Sequence, residues 1–194
     1  MRDERTPPPR SGKTSMKTSR QFPLTSLAAC LVVCSAAVGQ DRDPSTHLEE
    51  PCMAIEGPVE EAVRFVEDAT GEGLAEICIK VVSPETIRAA FRATAGFHDQ
   101  QPEIGGLFVI ADETVLIPTT LDLNNAYDLS FLVHEITHYH QGKAGLLTDG
   151  ARLGGVECDA YLMQASFLRS QGLPREALIT SLQAELQAGS ICEY

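Results

Sequence analysis

Apolar positions along the chain change period several times, and each change marks an element. Residues 58–68 (PVEEAVRFVED) set Val59, Ala62, Val63 and Val66 at helical spacing, and Gly71 and Gly73 close that run. Residues 75–82 (AEICIKVV) alternate instead, with Ile77, Ile79 and Val81 on one side, which is the period of a strand. Ser83 followed by Pro84 and Glu85 supplies an N-cap with proline at the first helical position, and the spacing carries a helix to about Ala95. Two short β-rich runs, 105–111 (GGLFVIA) and 114–118 (TVLIP), flank Asp112-Glu113 and predict two strands joined by a tight turn. Helix-length segments follow over about 124–141 and 155–171. Gly172 ends the second, and Pro174 opens a last helix to about residue 188. Helices interleaved with three short strands predict one α+β domain over residues 57–194, without internal repeats.

The N-terminal part follows a different pattern. Residues 1–39 carry six bases (Arg2, Arg5, Arg10, Lys13, Lys17, Arg20) against two acids, and end in an uncharged, mostly apolar run from Pro23 to Gly39. A basic stretch, a short apolar stretch and small residues before a polar segment form the pattern of a secretory signal peptide, with cleavage near Ala37 or Gly39. Met16 offers a more ordinary start for such a signal than Met1. The apolar run is short for a membrane span, although an uncleaved anchor is an alternative. So is lipidation at Cys30 within Leu27-Ala-Ala-Cys30. Residues 40–56 are polar and acidic at their start and read as a linker, in which His47 is expected to be solvent-exposed.

Composition sharpens this division. The chain has 194 residues, 27 acids and 15 bases, for a net charge of −12. The signal region is net positive by four, so the remaining 155 residues carry −16. That sign argues against a nucleic-acid surface, as does the absence of basic patches with interleaved aromatics. Export would remove Cys30 and Cys34 and leave Cys52, Cys78, Cys158 and Cys192, enough for two disulfides in an oxidising compartment. Cys52 and Cys192 lie near opposite ends of the domain, which suggests pairing them. No CxxC arrangement is present, so a cysteine zinc site or redox motif is not expected.

The chemistry lies on the helix predicted over 124–141. Residues 131–140 read FLVHEITHYH and contain HExxH. Positions i and i+4 on a helix are about 40° apart, so His134 and His138 project from one face, one turn apart. Two imidazoles so placed can both reach a Zn²⁺ ion at about 2.0–2.1 Å. Glu135 lies about 100° round the helix, beside the metal, where a carboxylate can take a proton from an attacking water. Leu132, Ile136 and Tyr139 form an apolar stripe on the other side. A catalytic zinc usually has three protein ligands; downstream, Glu157 in GGVECDAY follows His138 by 19 residues, enough for a turn and an antiparallel return, and Asp159 lies two residues further on.

These residues resemble the gluzincin group of zinc metallopeptidases, in which a Glu on the following helix completes HExxH. The resemblance covers about residues 105–170. The matching positions are His134, Glu135, His138 and Glu157, with Ala160 as the small residue that lets the two helices approach. It implies a small zincin-like domain with Zn²⁺ on His134, His138 and Glu157, and with Glu135 as general base. Peptides or proteins would be the substrates, and Thr114–Pro118 would be the edge strand that pairs with extended substrate. Small bacterial zincin-like domains are similar in general form. The chain departs from better-known members in being short and in having Tyr161 where many carry an Asp that orients a zinc histidine. Residues 139–144 (YHQGKA) also lack a metzincin continuation. Asp159 stays open as the alternative ligand, and no oxyanion-stabilising residue is assigned, with Tyr139, His140 and Tyr161 nearby. A non-catalytic exported domain that binds zinc or a partner is the alternative function. Asp122 and Asp128 read as helix N-caps and His98 as an isolated loop residue. Gly105-Gly106 and Gly154-Gly155 lack the Lys-Ser/Thr of a phosphate loop.

Overall fold

The structure, a computed structural model, describes residues 50–74, 76–95, 104–147 and 153–172. The expected signal peptide, His47, His98, the helix expected from Pro174 and Cys192 lie outside the described residues. Seven elements follow in the order α1 (Pro58–Thr70), β1 (Cys78–Val82), α2 (Pro84–Ala95), β2 (Leu107–Val109), β3 (Thr114–Pro118), α3 (Ala126–Lys143) and α4 (Leu153–Ser170). The expected α+β plan is present, with a small mixed sheet.

Local signals account for the helix ends. Pro58 sits in the first turn of α1, and Gly71 ends it in the left-handed region at φ 76°. The Ser83 hydroxyl oxygen accepts from the Thr86 backbone N–H at 3.2 Å, capping α2 as expected. The cap of α3 is Asn125, whose side-chain oxygen accepts from Tyr127 N–H at 2.9 Å. Asp122 and Asp128 instead order the turn before α3: Asp128 Oδ2 accepts from Asp122 N–H, and Asp122 Oδ1 from Asn124 N–H.

The sheet order is β1-β3-β2, with β1 parallel and β2 antiparallel to β3. A short 3₁₀ turn at Ile110–Asp112 and Glu113 at φ 48° link β2 to β3. This corrects the assignment of Thr114–Pro118 as the edge strand. β3 is the central strand, because the chain returns through α2 to pair β3 with β1 on one side while β2 takes the other. All five of its residues are buried, as expected of a strand covered on both faces. One face of the sheet (Ile79, Phe108, Val115, Ile117) packs against α1 and α3. The other (Val82, Leu107, Val109, Leu116) packs against Ile87 and Phe91 of α2. The alternation expected in β1 breaks at its end: Val82 is buried against Ile87 and Phe91 on the second covered face, whereas Val81, on the face of Ile79, is 39% exposed.

Cys52 pairs with Cys78 rather than Cys192. Met53 N–H donates to Ile79 C=O at 2.8 Å, so the entering segment runs beside β1 and brings the Cys52 and Cys78 Cα atoms to 5.2 Å. Cys158, on α4, is also disulfide-bonded. Among the described residues, no helix is long and apolar enough to cross a membrane.

Candidate metal centre

Helix α3 lies at the centre of the described residues. It packs on α1 and the sheet on one side and on α4 on the other. Leu132, Ile136 and Tyr139 lie in the core as expected, and the Tyr139 ring meets Phe108 edge-on at 5.8 Å. The remaining faces of this helix are covered too. Ser130, His134, Glu135, Thr137, His138 and Gln141 are all buried. Thr137 and Ser130 satisfy their hydroxyls by donating to the backbone of their own helix, at Val133 C=O and Tyr127 C=O. His134 Nδ1 and Glu135 Oε1 have no partner among the described residues, whereas His138 Nδ1 meets Gln141 on the same helix.

Helix α4 crosses against this face and delivers Glu157. Ala160, expected to be the small residue between the two helices, is fully buried. His134 Nε2 and His138 Nε2 are 3.0 Å apart, and the Glu157 carboxylate oxygens lie 3.4 Å from the first and 3.5 Å from the second. Asp159 is exposed, so the structure brings Glu157, not Asp159, to the histidines.

These distances allow a direct test of fit. Ligand atoms about 2.0–2.1 Å from a tetrahedral zinc ion are about 3.3 Å from one another. The two imidazole nitrogens, 3.0 Å apart, come close to that value; Glu157 Oε2 lies 3.4 Å from His134 and Oε1 3.5 Å from His138, and one ligand atom from each residue lies within 4.8 Å of the others. The donor set, two imidazole nitrogens and one carboxylate, is of the type that binds such an ion. His134, His138 and Glu157 can therefore hold a metal ion.

The electrostatics of the metal-free cluster are strongly coupled. Burial pushes the Glu157 carboxyl up, but His134 and His138 beside it more than offset this and bring it down to about 2. Burial works against a charged His138, yet Glu157, Glu135 and Gln141 outweigh it and raise the imidazole above its ordinary value.

Glu135 lies next to the cluster, 2% exposed, and its Oε1 has no hydrogen-bond partner among the described residues. Its neighbour on the sheet side is Gly106, just before β2. A Cβ on Gly106 would come within 2.5 Å of Glu135 Cγ, and one on Gly105 within 2.7 Å of the Phe131 ring. The glycine pair thus lets the entry to β2 press against α3 at the carboxylate. These glycines carry no phosphate-loop pattern; their position just before a strand is the clue in the sequence to close backbone approach.

Other nearby groups have different work. The Tyr161 ring packs on His134, with centroids 4.5 Å apart. His140 turns away from the cluster, its Nε2 lying 3.1 Å from Glu72. Gln141, unremarked in the sequence, hydrogen-bonds to His138. No protein-family model, curated protein or solved structure matches the chain.

Proposed function

We propose that this protein is an exported zinc-dependent hydrolase that cleaves peptide bonds, as its resemblance to gluzincin metallopeptidases implies. The observation that carries the reading is the convergence of Glu157 with His134 and His138, beside a buried Glu135 whose Oε1 lacks a partner among the described residues. Leaving a buried polar group unpaired costs roughly 1–3 kcal/mol, a cost that a working general base justifies. Zinc on the three ligands would supply Lewis acidity to the scissile carbonyl. Glu135 would take a proton from the attacking water and pass it to the leaving amine. β2 is an edge strand whose entry touches Glu135, and it replaces β3 as the strand expected to pair with an extended peptide. Export is supported by the N-terminal pattern and by the Cys52–Cys78 disulfide, a bond typical of oxidising compartments.

A second reading has its own support. His134 and His138 are fully buried, which suits a closed metal site in a non-catalytic domain that binds zinc or a partner. Metal analysis and peptide-library hydrolysis, on wild type and Glu135→Gln, separate the two. The enzyme reading expects about one zinc per chain in both proteins, with hydrolysis lost by roughly 10²–10⁴-fold in the variant. Zinc in both without hydrolysis by wild type would favour the second reading. A wild type without stoichiometric metal would refute the enzyme reading and the zinc-binding form of the second.

A further inference from the structure

Gln141 lies three residues after His138, on the same face of α3, and is 2% exposed. Its side chain makes two contacts that fix its orientation. The Val156 carbonyl, 2.9 Å away, can only accept, so the amide nitrogen of Gln141 faces it. The amide oxygen therefore faces His138 Nδ1, at 2.7 Å, and can only accept from it. His138 thus carries a proton on Nδ1, and its neutral form has a lone pair on Nε2, the atom that faces His134 and Glu157. Val156 immediately precedes Glu157. One amide therefore connects the second histidine of the cluster with the chain that delivers its carboxylate. His134 has no equivalent support, since its buried Nδ1 lacks a hydrogen-bond partner among the described residues.

We infer that Gln141 is a positioning residue of the metal site, holding His138 in the tautomer that presents Nε2 to a metal and tying it to the backbone beside Glu157. The inference rests on the metal-site reading above and adds a division of labour to it. The acceptor end of the amide sets metal affinity by orienting a ligand. The donor end satisfies a buried carbonyl and joins α4 to α3 whether or not metal is present.

Two near-isosteric variants separate these ends. Gln141→Met removes both contacts, whereas Gln141→Glu keeps an acceptor for His138 Nδ1–H and loses the donor to Val156. Zinc affinity would be measured by competition with a chromophoric chelator, beside thermal unfolding of the metal-free proteins. Gln141→Met is expected to bind zinc about 10–100-fold more weakly than wild type, and Gln141→Glu within about threefold of it. Both metal-free variants should melt below wild type. Gln141→Met binding within about threefold of wild type, or Gln141→Glu binding as weakly as Gln141→Met, would overturn the inference. Absence of zinc from wild type would instead remove the metal-site reading on which it stands. Should Gln141→Met not fold, long-range ¹⁵N–¹H correlation spectra of metal-free wild type, above the titration of His138, decide the matter. A proton on His138 Nδ1 supports the inference, and a proton on Nε2 overturns it.

Discussion

At the scale of single residues, Glu135 and the backbone of Gly106 occupy adjoining space. A methyl group on Gly106 would meet Glu135 at its Cγ, in the middle of the side chain, so the carboxylate would have to move. The ligands are arranged elsewhere on α3 and α4 and would stay in place. If Glu135 is the general base of a peptidase, as proposed, Gly106→Ala is expected to lower peptide hydrolysis at least about tenfold, because small displacements of a catalytic group are costly. Zinc content should remain at the wild-type level. Steady-state kinetics beside metal analysis checks this, and full activity in a folded variant would show that Glu135 has room to spare. The two histidines and Glu135 were legible in the sequence because their spacing carries helical geometry directly. Glu157 was legible only through resemblance, since nothing local distinguishes it from Asp159 two residues on. Gly106 and Gln141 were missed for one reason: their roles are set by contacts across elements.

The elements followed their local signals closely wherever a cap, a proline or a glycine marked an end. Ser83-Pro84 opened α2, Gly71 closed α1, and the run around Asp112-Glu113 turned between antiparallel strands. Pairing order was not legible, because a run such as TVLIP has the same composition at the centre of a sheet as at its edge. The same limit applied to Cys52, whose partner depended on the entering segment running along β1. That disulfide spans 26 residues and encloses α1. Chain-entropy arguments give a loop of this size about 3–4 kcal/mol of stabilisation. Replacing both Cys52 and Cys78 by serine is expected to lower stability by about 2–4 kcal/mol in urea unfolding of the metal-free protein. Zinc stoichiometry should be unchanged, because α3 and α4 carry the ligands and neither is closed by this bond. Loss of zinc from the folded double variant would mean that the entering segment supports the site as well as the fold.

For the molecule as a whole, the metal cluster links folding to pH in a way that depends on whether metal is present. In the metal-free protein, Glu157 titrates near 2 against an ordinary value of 4.5. Its contribution is present above pH 4.5 and is lost as pH falls from there towards 2. His138 is raised above its ordinary 6.5, so its contribution is present below that value and fades as pH rises through its folded value. The two overlap between pH 4.5 and 6.5, where an ion pair in the core holds α3 to α4. Zinc on this cluster, as proposed, would reverse the upper limit, because it would need His138 Nε2 without a proton and so would bind more tightly as pH rises. At a free concentration of 1,000 times Kd, it would add about 4 kcal/mol. The difference in stability between wild type and Glu157→Gln should therefore be greatest between pH 4.5 and 6.5 in chelator. With excess zinc, the largest difference should move above pH 6.5. Denaturant titrations of both proteins across pH 3 to 8.5, with and without zinc, would measure it. A difference that peaks at the same pH in both conditions would show that Glu157 acts in folding without acting on the metal.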